Sequence, residues 1–443
     1  MSDEAPPAEA RVTRRGALAL GGATLLAGCG VPGKLLGTGP VELDGPELRV
    51  VTSREAPAVS RPFPVEVAGS HVTASRERAY ATLDAVPLPL TADEVPNGAM
   101  REEVADHAER ARSRLAEAIE APGVRDRLER LGDARGLARV AEGIWAVAND
   151  DLTAADVRSS RRSTREAIDA FREDWTYVGD DAVRALLVHD LVEGWGASAR
   201  TAIEPDDRHA EGVVNALVVG ERAGSVEGAR ATLADTEHVG DRFRESLTDP
   251  RSLRSTFADA HDSLASAVDS RLADLPGANA DVSSMVDGDA EGTVAGQALA
   301  DLHGDLHRES RRTSTDRPAG SVVEATESLA RVRAFEALRN RIEADEYHTV
   351  QSAEDVQAIR SAAAEAVEDA LAEGTDERLA RAVLTGPVGW FDYVGRYVER
   401  YTGGDSVRLD LVDRDIALYV QIEVIAAATP AAVDEALAAL GVE

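Results

Sequence analysis

The chain has 443 residues, 44% of them hydrophobic and 4% aromatic, and its 80 acidic and 48 basic residues give a formal net charge of −32. This length allows two or three average domains or one large helical domain, and the apolar content excludes a wholly disordered chain. Scarce aromatic residues favour close-packed helices over a β-sandwich. The charge argues against a nucleic-acid partner, because the arginines sit beside acids and form no basic stripe.

The acidic residues are spread along the whole chain, and Lys34 is the only lysine. A surface site for cations or basic partners would need the acids in blocks. At ~1 M salt the Debye length falls to ~3 Å, so the self-repulsion of such a surface is largely removed. The composition resembles that of proteins from extreme halophiles, and it predicts adaptation to high salt.

The N-terminus carries an export pattern. Arg14 and Arg15 precede a short apolar run that ends in Leu-Ala-Gly-Cys at Cys29, the only cysteine in the chain. The run is too short to span a bilayer, and paired arginines before it are typical of twin-arginine export. Residues 13–29 resemble the signal and lipobox of haloarchaeal twin-arginine lipoproteins. The resemblance implies cleavage after residue 28, a lipid on Cys29 and a location on the outer face of the cell membrane.

The region after the signal predicts a tether and then a small irregular segment. Residues 29–46 contain the lipidated cysteine and are rich in Gly and Pro, which favours a flexible tether. Within 47–96, the stretches 47–53 and 63–73 are β-prone and are separated by prolines, which predicts a small hairpin or edge strands.

From residue 97 to residue 443 the pattern is helix after helix. Apolar residues recur at spacings of three, four and seven, most clearly at Leu253, Phe257, Ala260, Leu264, Val268 and Leu272. Breaks are predicted at Pro122, Pro276, Pro318, Gly386-Pro387, Gly403-Gly404 and Pro430. We therefore predict an all-α fold, a multi-helix bundle or irregular helical array with a minor N-terminal β element and no transmembrane helix.

The composition excludes several chemistries. With Lys34 as the only lysine, P-loop, kinase and Schiff-base mechanisms have no lysine in the helical region. With one cysteine, thiolate zinc sites, iron–sulfur clusters and disulfides within the chain are excluded. Serine or carboxylate catalysis stays open, because acidic helices supply carboxylate pairs by chance.

Two histidines mark a candidate metal site. His303 and His307 lie one turn apart on a predicted helix, and His189 and Glu193 have the same spacing on another. The four side chains could bind a transition metal between helices. The alternative is that these imidazoles are boundary residues with ordinary hydrogen-bond partners.

A candidate calcium loop contains Asp287, Asp289 and Glu291. The spacing matches the first positions of an EF-hand loop, but Ala298 stands where the bidentate glutamate is expected. The alternative is an acidic turn in which Thr293 caps the next helix.

An aromatic stripe is predicted at Trp390, Tyr393, Tyr397 and Tyr401, which share one helical face. Such a face could form a groove for an apolar ligand, a sugar or a partner helix. The alternative is a core helix whose tyrosine hydroxyls lie at its boundary.

The function expected from these features is non-catalytic. The chain would be a surface lipoprotein that presents a helical binding or scaffolding domain, attached to the membrane through Cys29, with another envelope protein as its partner and no cofactor. The alternatives are a solute- or metal-binding lipoprotein and a carboxylate-based hydrolase, which would need two buried carboxyls facing one cleft.

The net charge of −32 predicts a salt-dependent fold. Helical circular dichroism should be retained in multi-molar salt and fall steeply on dialysis to dilute buffer, because charge screening and hydrophobic burial weaken together. A melting transition that does not change with salt would contradict this prediction.

Overall fold

The computed structural model describes residues 40–204, 215–288, 290–309, 317–373 and 376–442, and these ranges are predominantly helical. The predicted all-α fold with a minor N-terminal β element is confirmed. The helices are α1 (Gly45–Thr52), α2 (Gly69–Asp84), α3 (Gly98–Glu120), α4 (Val124–Ala148), α5 (Ala154–Asp174), α6 (Ala182–Ala202), α7 (Ala216–Ser246), α8 (Arg254–Ala273), α9 (Val282–Met285), α10 (Val294–Glu309), α11 (Pro318–Glu343), α12 (Ala353–Glu373), α13 (Glu377–Glu399) and α14 (Asp413–Ala439). The strands are β1 (Glu42–Asp44), β2 (Val178–Gly179), β3 (Arg251–Ser252) and β4 (Ser406–Arg408).

The first half of the fold is organised around α4 and α7. Helix α4 packs against α2, α3 and α7, while α5 and α6 pack against α7. Each helix buries one stripe at the spacing seen in the sequence, as α3 does with Val104, Ala111 and Leu115. These stripes contribute to a continuous apolar core between α2, α3 and α4.

Glycines let α4 and α7 approach each other closely. A Cβ atom built at Gly224 would lie 2.3 Å from Val140 Cγ2 and 2.7 Å from the carbonyl oxygen of Gly136. At Gly220 it would lie 2.5 Å from Ile144 Cγ1. No side chain fits at these two positions of α7 without moving the backbone of α4, so the crossing depends on glycine.

The second half is organised around α14, which contacts α8, α10, α11, α12 and α13. Helix α14 is long and apolar enough to cross a membrane, but 67% of its most apolar window is buried within the fold. Its Glu423 pairs with Arg341 of α11 at 2.7 Å. This is the environment of a core helix in a globular unit.

Several contacts join the halves, among them the β1–β4 pair and the packing of α1 against α12 and α13. Helix α6 packs against α11, and β2 pairs with β3 in antiparallel register, with Val178 opposite Ser252 and Gly179 opposite Arg251. The amide of Leu253 also donates to the Tyr177 carbonyl at 2.9 Å. Residues 42–443 accordingly form one compact unit.

The predicted strand at 47–53 is wrong, because those residues lie in or directly after α1. Asp44 caps this helix by accepting the Glu47 amide at 2.8 Å, Pro46 lies in its first turn, and Leu48 and Val51 are buried. Residue 44 also belongs to β1, so the end of the predicted tether 29–46 is part of the folded unit. The remaining tether, with Cys29, Arg14 and Arg15, lies outside the described residues.

The predicted strand at 63–73 is also absent. Residues 63–68 are irregular, and α2 begins at Gly69 and packs against α4. The helical architecture therefore begins before residue 97.

Two predicted breaks are wrong as well, because Pro387 lies inside α13 and Pro430 inside α14. Both helices are held along their length by core packing, which outweighs the loss of one backbone donor.

The α4–α7 crossing gives a matched pair of substitutions. Gly224→Ala should lower the free energy of unfolding by about 1–3 kcal/mol, because its Cβ collides with Val140 and Gly136. Gly228→Ala, one turn further along α7, has open space around the new Cβ and should be neutral or stabilising by up to ~1 kcal/mol. Denaturant unfolding at high salt measures both. Equal effects would contradict a crossing that depends on glycine.

Candidate functional site

A cleft of about 420 Å³ lies where the end of α5, the middle of α6 and the starts of α8 and α11 meet. Four arginines and three acidic residues line it, together with aromatic side chains. The arginines are Arg172, Arg200, Arg254 and Arg317, and we call this site the arginine cleft. It is a local excess of positive charge in a strongly acidic chain.

The four arginines differ in their partners. Arg200 pairs with Asp169, and Arg317 pairs with Glu324. Within the described ranges, Arg172 and Arg254 form no ion pair, although the Arg254 guanidinium lies 5.2 Å from the centre of the Tyr177 ring. Both are exposed and keep their hydrogen-bond donors available.

Glu193 forms an acidic part of the cleft wall. Its Oε1 accepts from the Tyr177 hydroxyl at 2.8 Å and from the Ala319 amide at 3.2 Å, and its Oε2 accepts from the Gly320 amide at 2.7 Å. The carboxylate therefore caps the N-terminus of α11 from a different helix. Burial raises the pKa of Glu193 to about 6, and it also raises the pKa of Tyr177, which the neighbouring carboxylate reinforces.

His189, one turn before Glu193 on α6, positions an aromatic wall of the cleft. Its Nδ1 accepts from Trp175 Nε1 at 3.0 Å, and its Nε2 donates to the Val178 carbonyl at 2.9 Å. Burial lowers the pKa of His189 to about 4, so the imidazole is neutral at physiological pH. Because both ring nitrogens are engaged, His189 has none left for a metal.

His303 and His307 share a helical face, as predicted. Their Nε2 atoms lie 3.1 Å apart and 2.9 and 3.2 Å from the Pro276 carbonyl oxygen. Among the residues that the structure describes, no group of three or more His, Cys, Asp or Glu side chains is arranged to bind a metal ion. The structure therefore does not bring His303, His307, His189 and Glu193 into the single metal site considered above.

The candidate calcium loop is only partly described, because Asp289 lies outside the described residues. In the part that is described, Gly292 adopts a φ of 72°, and Thr293 Oγ1 accepts the Gly296 amide at 3.0 Å. Thr293 thus caps α10, the alternative considered above. Calcium binding by Asp287 and Glu291 stays a prediction.

The aromatic stripe lies on α13 and just beyond its end, on the flank of the residues that face the core. Tyr393 and Tyr397 stack with ring centres 4.2 Å apart, and Tyr401 is 44% exposed. Trp390 is half-buried. The four residues share one helical face, while their use as a ligand or partner groove stays a prediction.

Two family models match the chain. Residues 70–249 match a model described as "Domain of unknown function (DUF8262)", and residues 254–438 match one described as "Domain of unknown function (DUF8264)". No curated protein and no solved structure matches. Arg172 and Glu193 belong to the first matched segment and Arg254 and Arg317 to the second, so both segments build the arginine cleft.

The sequence predicted Glu193 as a metal ligand, not as part of this cleft, and it did not indicate the arginines of the cleft. In sequence, Arg172 and Arg254 are two of 47 arginines beside acidic neighbours. Other exposed arginines, such as Arg76, also lack an ion-pair partner within the described structure, so the distinguishing property of Arg172 and Arg254 is their position at the cleft, which depends on how four helices meet. A weak sequence signal was present in the aromatic pair Trp175 and Tyr177 directly after a helix end.

Proposed function

We propose that this chain is an exported, lipid-anchored protein of a halophile whose helical unit binds a small anionic ligand in the arginine cleft. The observation that carries the proposal is that Arg172 and Arg254, which have no ion-pair partner among the described residues, lie at one cleft in a chain of net charge −32. Acids outnumber bases by 80 to 48, so most arginines can find an acidic partner, and a guanidinium kept free at a concave site is available for an external anion.

The cleft's size and walls indicate the class of ligand. A volume of about 420 Å³ is within the range of small-molecule sites. Two guanidinium groups favour a dianion, with sulfate, phosphate or a small dicarboxylate as the simplest candidates, because each planar fork binds two oxygens. Tyr177 and Trp175 are largely buried, so they support the site more than they offer stacking surface.

Ligand binding accounts for the cleft better than the alternatives do. A hydrolase would need two buried carboxyls facing one cleft, whereas of the three acids here Glu193 is engaged by three donors, Asp169 pairs with Arg200, and Glu173 is exposed. A scaffold that presents only a helical surface gives no role to a cleft at which two arginines lack an ion-pair partner in the described part of the chain. An envelope protein partner remains compatible with ligand binding.

The proposed location is supported by residues 13–29. Arg14, Arg15 and the apolar run ending at Cys29 have the order that export followed by lipid attachment requires. The proposal places the helical unit on the outer face of the cell membrane, in contact with the external medium, where it would meet solutes.

Arg172→Ala combined with Arg254→Ala should weaken sulfate binding at least tenfold, because charge-assisted hydrogen bonds each contribute about 1.5–3 kcal/mol. Isothermal titration at constant high ionic strength measures the affinity. Arg76→Ala on α2 is the matched control, since Arg76 is also exposed and without an ion-pair partner in the described structure. Unchanged binding in the double variant, or equal loss in the control, would contradict the proposed site.

Sulfate binding should also tighten about threefold or more as the pH falls from about 7 to about 5. The raised pKa of Glu193, about 6, means that the cleft loses one negative charge over this range, while the charge of sulfate is constant. Glu193→Gln should remove most of this pH dependence. Persistence of the full dependence in that variant would assign it to another group.

Cys29→Ser should abolish lipid attachment and shift part of the protein from the membrane fraction into the medium, and Arg14→Lys with Arg15→Lys should retain it in the cytoplasm. Mass spectrometry of the N-terminal peptide and cell fractionation check both outcomes. A native protein without lipid mass on Cys29 would overturn the anchor.

A further inference from the structure

Exposed apolar side chains concentrate where the chain enters the folded unit. Six large hydrophobic residues are exposed in the described part of the chain, and three of them are Val50 at 61%, Tyr401 at 44% and Leu411 at 50%. Val50 belongs to α1, Tyr401 follows α13, and Leu411 lies in the short turn after β4. We call these three residues the tether-end patch.

Direct contacts hold these segments together. The Arg49 side chain donates to Thr402 Oγ1 at 3.1 Å, which links the neighbours of Val50 and Tyr401. The Gly45 amide donates to the Asp405 carbonyl at 3.0 Å. A Cβ at Gly45 would lie 2.4 Å from the Gly404 carbonyl oxygen, so the backbone of α1 lies directly against the segment before β4.

The β1–β4 pair connects the start of the folded unit to the segment that carries Leu411, the third residue of the tether-end patch. In this pair, Glu42 lies opposite Arg408 and Leu43 lies opposite Val407. The side chains of Leu43 and Val407 are buried. Leu411 follows Arg408 by three residues. The first strand of the unit is thus paired with the segment that carries Leu411.

We infer that the tether-end patch contacts the surface of the lipid bilayer. The inference rests on the proposed lipid anchor at Cys29. Residue 42 follows Cys29 by thirteen positions, and even fully extended this length of chain spans only about 45 Å. The end of the unit that carries β1 is therefore the end that an anchor at Cys29 restrains near the membrane.

The side chains of the tether-end patch suit the boundary between lipid and water. Tyrosine places an apolar ring and a polar hydroxyl at the boundary between lipid and water, and Val50 and Leu411 supply purely apolar surface. The stacked pair Tyr393 and Tyr397 lies on α13, the helix that Tyr401 follows. One lipid chain alone gives only marginal binding, so a second contact makes the attachment stable.

Hydrophobic contact, rather than charge, carries this interaction. Asp410 precedes Leu411 and Asp405 lies near Tyr401, Arg49 and Arg400 precede Val50 and Tyr401, and the chain as a whole is strongly acidic. Association with lipid should therefore strengthen as salt rises, because repulsion is screened while apolar burial is retained. Attachment through basic residues would weaken under the same conditions.

Flotation with zwitterionic phosphatidylcholine vesicles tests the patch without the anchor. The mature chain 29–443 carrying Cys29→Ser should float with vesicles in multi-molar KCl. Adding Val50→Ser, Tyr401→Ser and Leu411→Ser should reduce the floating fraction at least fivefold, with the helical circular dichroism unchanged. Ile119→Ser is the control, because Ile119 is 65% exposed on α3, outside the patch.

A second readout locates the contact. Brominated lipids should quench the added fluorescence of Tyr401→Trp but not that of Ile119→Trp. No flotation, equal flotation of the triple variant or equal quenching at both positions would overturn the patch. Loss of an envelope protein partner in the triple variant, without any flotation, would overturn it in favour of a protein interface.

The anchor has an independent test in the lipid mass on Cys29 of the native protein. A lipidated native protein whose Cys29→Ser form does not float retains the anchor and overturns the patch. Flotation that depends on the patch, in a protein whose native form lacks the lipid, supports the membrane contact and overturns the anchor.

Discussion

The close approach of α4 and α7 is the constraint on which the first half of the fold depends. Gly220 and Gly224 allow backbone contact with α4, and this brings Arg135 of α4 within 2.8 Å of the buried Glu227 on α7. A buried carboxylate is tolerated only with such partners, and Arg78 of α2 supplies another. Because α5 and α6 pack on α7, the crossing also sets where Arg172 and Glu193 stand at the arginine cleft.

The proposed salt adaptation and the proposed ligand binding place different demands on the same arginines. In concentrated salt, charges interact only at short range, so a cleft cannot attract anions from a distance. Recognition then depends on contact between guanidinium forks and ligand oxygens. The pairing of Arg200 with Asp169 and of Arg317 with Glu324 leaves Arg172 and Arg254 as the groups available for such contact.

The sequence predicted the helices because their apolar stripes are local patterns, as at 253–268. Its predictions were wrong where contacts between distant residues determine the local structure. The stretch 47–53 is β-prone, yet Asp44 and the burial of Leu48 make it helical. Proline ends many helices, but Pro430 lies inside α14, which is packed against several other helices. For the site, the spacing predicted Glu193 as a metal ligand, whereas the structure makes it a cap of α11 and places Arg172 at the same cleft, a juxtaposition that no sequence pattern records.

The pairing of β2 with β3 has a consequence for the two segments that match family models. The boundary between the two segments that match family models falls at residues 250–253, where Arg251 and Ser252 pair with β2 and the amide of buried Leu253 bonds to Tyr177. This boundary is therefore part of a hydrogen-bonded joint rather than a loose linker. A chain that lacked either segment would lose residues of the arginine cleft, so the two segments together complete one site.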